Sequence, residues 1–202
     1  KKEFRDYADW VSMGLTPMTL TARLIKHTRP GSKVVVIGPC SAKKLEAMDP
    51  AVRSEEDFVL TFVEMTGIFA ARGIDLNTIE DLPGGVNDSS ADGRGFAVSG
   101  GVARAVADVI AEKYPEHKMQ VASAEGLKEC KKLMALAKAG RYQGYLLEGM
   151  ACPGGCVAGA GTRQPVNKAQ AFVKNYAGKA SHQTAGQTES VRELKHLVGE
   201  NE

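Results

Sequence analysis

Two cysteines lie four residues apart in a stretch of the chain that is unusually rich in glycine. The stretch runs from Glu148 to Gly161 and holds Cys152 and Cys156 together with five glycines. Thiolates bind iron and zinc, and glycine allows the backbone to approach a bound group closely. This combination favours a loop folded around an inorganic cluster over a disulfide or a core strand.

A third cysteine, Cys40, follows a β-branched run at residues 33–37 and lies three residues before Lys43. The continuous apolar run predicts a strand buried on both faces, in a parallel sheet flanked by helices. Residues 145–147 predict another strand that leads into the glycine-rich stretch. Because ligands gather at the carboxyl ends of strands in open α/β sheets, we expect the two cysteine loops to converge.

The fourth cysteine, Cys130, lies on a predicted helix at residues 125–139. Leu133, Met134 and Ala137 share its face of that helix. Free cysteine behaves as a small apolar side chain in such a position. We therefore predict that Cys130 is an inert core residue and not a ligand.

Three kinds of chemistry remain open for the other three cysteines. Zinc would accept three cysteines and a histidine, but the four histidines show none of the usual short-range zinc spacing. An iron–sulfur cluster normally takes four thiolates, so three imply a missing fourth, an unusual ligand or a fragment. A nucleophilic Cys40, activated near Lys43, leaves the glycine-rich loop unexplained and ranks lower.

The elements that must position these loops can be read from capping and periodicity. Thr16 and Pro17 begin a helix that reaches about His27. Ser54 would cap a long helix over residues 54–72. Its aromatic stripe is predicted to be core, and consists of Phe58, Phe62, Met65 and Phe69.

Further along the chain, residues 77–97 are predicted to be a loop, and helices are predicted at residues 168–176 and 191–198. Directly after the predicted loop, another helix begins at Ser99, Gly100 and Gly101. Such a helix start offers N–H groups to an anion or to polar cluster ligands. A simple tight turn onto a helix is the equally weighted alternative.

Composition excludes several classes of protein. The chain of 202 residues is 43% hydrophobic and 25% charged, which is ordinary for a globular protein. No apolar run approaches the roughly 18 residues that a membrane span needs. The formal net charge of +2 gives no reason to expect nucleic acid or an anionic membrane as partner. Without a recognisable signal peptide, the cysteines predict a reducing, cytoplasmic location.

The two cysteine loops together resemble the active-site domain of the iron-only (FeFe) hydrogenases. That family's second signature, Pro-Cys, two residues, Lys, two residues, Glu, is matched by PCSAKKLE at residues 39–46. The third signature is matched by EGMACPGGCVAG at residues 148–159, and an intervening segment by FAVSGGV at residues 96–102. The resemblance extends from about residue 16 to residue 165.

The resemblance implies a role for each of these residues. Cys40, Cys152 and Cys156 would be thiolate ligands of a 4Fe–4S cubane, and Cys156 would bridge to a diiron subcluster where protons and electrons combine to H2. The other catalytic residues would be Lys43, which would hydrogen-bond a cyanide of that subcluster, and Met150, which would pack against it. A second set would line the cofactor: Phe96, Ser99 and Gly100.

The resemblance also implies an architecture and partners. The fold would be α/β, part of the two-lobed iron-only hydrogenase active-site fold. Residues 1–165 would be a fragment of the cluster domain, and residues 166–202 C-terminal helices packing on it. The electron partner would be a ferredoxin-type carrier or N-terminal iron–sulfur domains of the same chain, and hydrogenase maturation proteins would assemble the cofactor.

Departures from the family pattern lead to three further expectations. The first signature, Thr-Ser-Cys-Cys-Pro, is absent, so the chain is interpreted as a fragment that should hold the cluster poorly. Gly38 stands where the family has methionine, and GAGTRQP at residues 159–165 replaces a Gly-Gly-Gly-Gln-Pro motif. These changes indicate a sensory or divergent branch. A non-catalytic hydrogen sensor or an iron–sulfur assembly protein with the same loops is the alternative to an enzyme.

Overall fold

The structure, a computed structural model, describes residues 4–12, 14–50, 55–80 and 89–191. Its strands are β1 Val35–Gly38, β2 Phe58–Thr61, β3 Gln120–Glu125 and β4 Tyr145–Met150. Its α-helices are α1 Pro17–Thr28, α2 Ala42–Glu46, α3 Phe62–Ala71, α4 Ala91–Gly95, α5 Gly101–Lys113, α6 Leu127–Lys138 and α7 Val166–Ala177. Short 3-10 helices lie at Arg5–Trp10, Cys156–Ala158 and Ala185–Gln187.

All strand pairs in the described residues are parallel. β1 pairs with β2, with Val35 opposite Phe58, and β3 pairs with β4, with Gln120 opposite Tyr145. Each pair is joined through at least one helix, as a parallel connection requires. The predicted α/β class with parallel strands and flanking helices is therefore confirmed, although the described strands form two small sheets and not one.

The long helix predicted over residues 54–72 is wrong in its first part. Residues 58–61 form β2, and the helix begins only after Thr61. A capping box fixes that start: the Thr61 hydroxyl accepts from the backbone N–H of Glu64, and the Glu64 carboxylate accepts from the backbone N–H of Thr61. The β-branched and aromatic character of this segment suits a strand beside β1. The predicted cap, Ser54, lies outside the described residues.

The aromatic stripe and the first strand are also less buried than predicted. Phe58 is 63% exposed on β2 and Phe62 is 43% exposed on α3, so the stripe is not core. On β1, Val35 and Ile37 are 45% and 47% exposed, so one face of this strand is open. An open apolar cleft of about 560 Å³ lies here, and Phe172 of α7 also lines it.

The buried apolar positions are small and scattered over several elements. They are Ala22, Val34, Ala103, Ala105, Leu133, Ala137 and Val157. The predicted helices near residues 16–27, 99–110, 125–139 and 168–176 are confirmed as α1, α5, α6 and α7. The predicted loop at residues 77–97 contains the short helix α4, and the predicted final helix at residues 191–198 lies almost wholly outside the described part of the chain. None of the described helices is long and apolar enough to cross a bilayer.

Candidate cluster-binding site

Cys40 lies in the short turn between the end of β1 and the start of α2, and it is half-buried. Lys43 follows on α2, where its Nζ donates to the Glu46 carboxylate at 2.6 Å. The second oxygen of Glu46 accepts a short hydrogen bond from the Thr16 hydroxyl. The Lys43 ammonium is therefore held by Glu46, and Glu46 is itself anchored by Thr16 at the beginning of α1.

The glycine-rich loop begins where β4 ends, at Met150. Cys152 is half-buried, and its carbonyl accepts from the backbone N–H of Gly155 at 2.9 Å, which closes a tight turn. Gly154 and Gly155 have φ of +97° and +95°, a region that favours glycine. This turn leads directly into Cys156, which is exposed and begins a 3-10 helix.

The two cysteine loops are in direct backbone contact. The backbone N–H of Gly161 donates to the carbonyl of Pro39 at 2.8 Å. A Cβ added to Gly159 would lie 2.3 Å from the same carbonyl oxygen, so glycine is required for this approach. The predicted convergence of the loops at residues 39–46 and 148–161 is therefore observed, although their strands belong to different sheets.

The environment of Cys156 brings the predicted site residues together. Loss of solvation raises the pKa of the Cys156 thiol, although the residue is exposed on one side, and the nearby thiols of Cys40 and Cys152 raise it further. Lys43 acts in the opposite direction and lowers it. Two further thiols and one ammonium thus lie within electrostatic range of Cys156. This set of donors suits a thiolate-ligated cluster, and the ammonium would offset part of its negative charge.

Within the ranges that the structure describes, no three histidine, cysteine, aspartate or glutamate side chains are arranged to ligate a single metal ion, and this includes Cys40, Cys152 and Cys156. The described histidines are His27, His117 and His182, so no histidine joins the three cysteines there. Cys130 lies apart from them on α6, where its thiol contacts the carbonyls of Ala124 and Met150 at 3.5 and 3.6 Å. Cys130 is half-buried and therefore not fully core, and its predicted role as an inert residue that is not a ligand stays a prediction.

A functional feature that the sequence analysis missed is the carboxylate of Glu148. It is 7% exposed and accepts hydrogen bonds from the backbone N–H groups of Gly100, Val102 and Ala103, at 2.6, 3.2 and 3.2 Å. The start of α5 therefore does bind an anion, as its Ser-Gly-Gly sequence suggested, but the anion belongs to the same chain. The signal for this role in the sequence was an acidic residue directly after the predicted strand at residues 145–147.

The remaining predicted cofactor contacts surround this helix start. The backbone N–H of Ser99 donates to the carbonyl of Gly154 at 3.3 Å, and that of Gly100 donates to Glu148. Phe96 directly follows α4, and Met150 is the last residue of β4; both are half-buried. These N–H groups are engaged within the chain, and the cofactor contacts of all four residues stay predictions.

A parallel α/β fold whose loops bring three cysteines and a lysine into one region defines a candidate site for a thiolate-ligated cluster. The family model for the iron-only hydrogenase large subunit, C-terminal domain, matches residues 1–160. The chain belongs to this family, and the resemblance inferred from the cysteine signatures is confirmed.

Individual relatives agree with this family. The periplasmic Fe hydrogenase large subunit of Nitratidesulfovibrio vulgaris is 31% identical over 188 residues, which cover 76% of this chain and 44% of the relative. An FeFe-hydrogenase HydA1 variant from Chlamydomonas reinhardtii matches with a TM-score of 0.68 at 26% identity, covering 97% of this chain and 68% of that one. A further FeFe-hydrogenase structure matches with a TM-score of 0.68 at 25% identity, covering 97% and 67%. The chain spans less than half the length of the curated relative.

Proposed function

We propose that this chain is part of an iron-only hydrogenase catalytic domain, in which Cys40, Cys152 and Cys156 hold a 4Fe–4S cubane through their thiolates. The observation that carries the proposal is the direct backbone contact between the loop of Cys40 and the loop of Cys152 and Cys156, and the charges of Cys40, Cys152 and Lys43 that act on Cys156 agree with it. Family membership supports it independently. In one of the solved relatives, the FeFe-hydrogenase is described with an H cluster that contains a 2Fe subcluster.

The diiron subcluster, when bound, would supply the chemistry that interconverts H2 with protons and electrons. The role proposed for Cys156 is to bridge it to the cubane. Lys43 would present its ammonium to an anionic ligand of the subcluster, a charge-assisted contact that is strong in a dry pocket. Met150 would cover the subcluster with an apolar side chain, and Phe96, Ser99 and Gly100 would form the wall on the α5 side.

Further parts of the proposal concern the intact protein. Electrons would come from a ferredoxin-type carrier or from N-terminal iron–sulfur domains of the same polypeptide, and maturation proteins would deliver the diiron unit. A polypeptide with three suitable cysteines needs a fourth thiolate to complete a cubane. A cytoplasmic location remains a prediction from the cysteine content, and the curated relative is named as periplasmic.

The thiolate assignment is tested by anaerobic reconstitution of the chain with iron and sulfide, with an added free thiol as fourth ligand. Four variants are compared: C40S, C152S, C156S and the control C130S. We expect a reduced-state cluster signal in electron paramagnetic resonance for the wild type and for C130S, and its loss in the other three. Equal cluster content in all variants, with an unchanged circular dichroism spectrum, would refute the assignment.

The diiron assignment needs the polypeptide to which this chain belongs, produced with hydrogenase maturation proteins. Infrared bands of bound CO and CN should be present in the wild type and absent in C156S. A 4Fe–4S signal without such bands in the wild type would indicate that the protein is a non-catalytic iron–sulfur protein and not a hydrogenase. Retained H2 activity in C156S would disprove the bridging role of that residue.

A further inference from the structure

One residue of the glycine-rich loop, Gly154, is held by hydrogen bonds from several sides at once. The backbone N–H of Gly154 donates to the Glu125 carboxylate at 2.8 Å. Its carbonyl accepts from the side-chain amide of Gln170 at 3.1 Å and from the backbone N–H of Ser99 at 3.3 Å. Gly154 lies two residues from Cys152 and two from Cys156. The hydrogen bonds that fix Gly154 therefore also limit where both thiols can lie.

Glycine at this position is required by packing as well as by backbone conformation. Gly154 is buried with φ of +97°, and an added Cβ would lie 2.7 Å from Cγ1 of Val166. Its neighbour Gly155 approaches the backbone just before α5 so closely that an added Cβ would lie 2.5 Å from the Ser99 nitrogen. The loop between the two cysteines therefore packs closely against α7 and against the segment that precedes α5, and it has little room to shift.

Glu125 has the features expected of a residue kept for this contact. It is the last residue of β3, opposite Met150 in the register, and the next residue, Gly126, donates its N–H to the Met150 carbonyl at 2.8 Å. In the described chain its carboxylate has one hydrogen bond, the one to Gly154, and no ion pair. A charged acceptor on a backbone N–H forms a stronger hydrogen bond than a neutral one.

We infer that Glu125 and Gln170 are positioning residues that fix the backbone of Gly154 on both sides of its Cα and thereby set the geometry of Cys152 and Cys156. The inference rests on the proposed function only in its consequence for a cluster, because the hydrogen bonds exist in the chain itself. Neither residue belongs to the cysteine signatures. Glu125 acts on the N–H of Gly154 and Gln170 on its carbonyl, and these atoms belong to the two peptide groups on either side of the Gly154 Cα, so each residue should matter separately.

The first test measures hydrogen exchange of the Gly154 amide in the chain without a cluster. E125A removes the acceptor, and we expect exchange about tenfold faster or more, since the lost bond is to a charged group. E125Q keeps an acceptor oxygen and should stay within about threefold of the wild type. The matched control is E129A, because Glu129 lies four positions further on in α6 and, among the described residues, its ion pair is with Lys132 at 3.7 Å.

The second test measures the thiols. In the unloaded chain, the alkylation rates of Cys152 and Cys156 at a fixed pH should change at least threefold in E125A, Q170A and Q170E. They should match the wild type in E125Q and E129A. In the reconstituted chain, E125A and Q170A should shift or broaden the electron paramagnetic resonance signal at equal iron content.

The outcomes separate the inference from the proposed function. Unchanged exchange in E125A would overturn the inference, and so would faster exchange with unchanged alkylation rates and an unchanged cluster signal. Failure of the wild type to bind any cluster would overturn the proposed function, while exchange and alkylation would still decide the role of Glu125 and Gln170. If E125A does not fold, Q170A compared with the wild type still tests the inference through the carbonyl of Gly154.

Discussion

The carboxylate of Glu148 accepts the backbone N–H of Gly100 at 2.6 Å, across 48 positions of sequence. This bond joins the end of β4 to the beginning of α5. Since the cysteine loop starts two residues after Glu148, the helix serves as the fixed support for that loop. Backbone N–H groups at a helix start lack partners within the helix, and a buried carboxylate satisfies three of them here.

Replacing this carboxylate by its amide should destabilise the chain strongly. In E148Q one oxygen becomes an NH2 group that faces backbone donors, so at least one buried N–H loses its acceptor. We expect a loss of about 2–3 kcal/mol in the free energy of unfolding, measured by urea titration. E116Q, at an exposed turn, should stay within about 0.5 kcal/mol of the wild type. Equal stability of the two variants would mean that the carboxylate is dispensable.

The anchor of Lys43 can be tested through Thr16. T16V removes the hydroxyl that donates to Glu46, while Glu46 continues to accept from Lys43. We expect a loss of about 1 kcal/mol in unfolding free energy, because a part-buried acceptor loses its partner. T16S keeps the hydroxyl and should retain most of the stability. A T16S variant as unstable as T16V would show that the methyl packing matters and not the hydrogen bond.

Asp92 should make the stability of the chain depend on pH. Burial raises the pKa of its carboxyl above the usual 3.8, and the neighbouring Asp108 raises it further. A carboxyl whose pKa is raised by folding destabilises the folded chain as the pH rises through the interval between the two pKa values. At pH 7 the D92N variant should therefore be more stable than the wild type, by about 1 kcal/mol or 2–4 °C in melting temperature.

The advantage of D92N should disappear below about pH 3.8, where the carboxyl is protonated in the folded and unfolded chain alike. Thermal melts in a pH series measure this directly. The exposed Asp9→Asn provides the control and should show no such trend. An advantage of D92N that is the same at pH 3 and pH 7 would indicate that shape, and not charge, is responsible.

Glu56 is a buried carboxylate that we expect to lower the stability of the folded chain. It is 4% exposed, and within the described parts of the chain neither of its oxygens has a hydrogen-bond partner. Replacement by methionine keeps much of the volume and removes the polar atoms, so E56M should raise the unfolding free energy by about 1–3 kcal/mol. The neighbour Glu55 is the control, because it pairs with Arg23 at 3.0 Å on the surface.

E55M should change stability by less than about 1 kcal/mol and in the opposite direction, because exposed ion pairs contribute little. Both variants can be compared in the same urea titration. A less stable E56M would contradict the interpretation of Glu56 as an unsatisfied group.

Sequence patterns predicted most of the helices correctly, but they did not predict how far the apolar side chains of β1, β2 and α3 are exposed to solvent. α1 and α5 begin where Thr16–Pro17 and the Ser-Gly-Gly segment predicted, because caps and glycine act within one or two residues. The segment around Phe58 and Phe62 was misread, because the same apolar residues suit a strand or a helix face. The choice was made by pairing with β1 and by the capping box at Thr61, and only the second is local.

Taken alone, the sequence determined which residues could be ligands and to which family the chain belongs, since Cys40, Lys43, Cys152 and Cys156 stand in two specific spacings. Only the tertiary structure decided what holds them. Glu148 and Glu125 fix the loop by accepting backbone N–H groups that lie 48 and 29 positions away, and no local pattern encodes such partners. Side-chain type and spacing are written in the chain, whereas the acceptor for a given N–H exists only after distant segments have packed together.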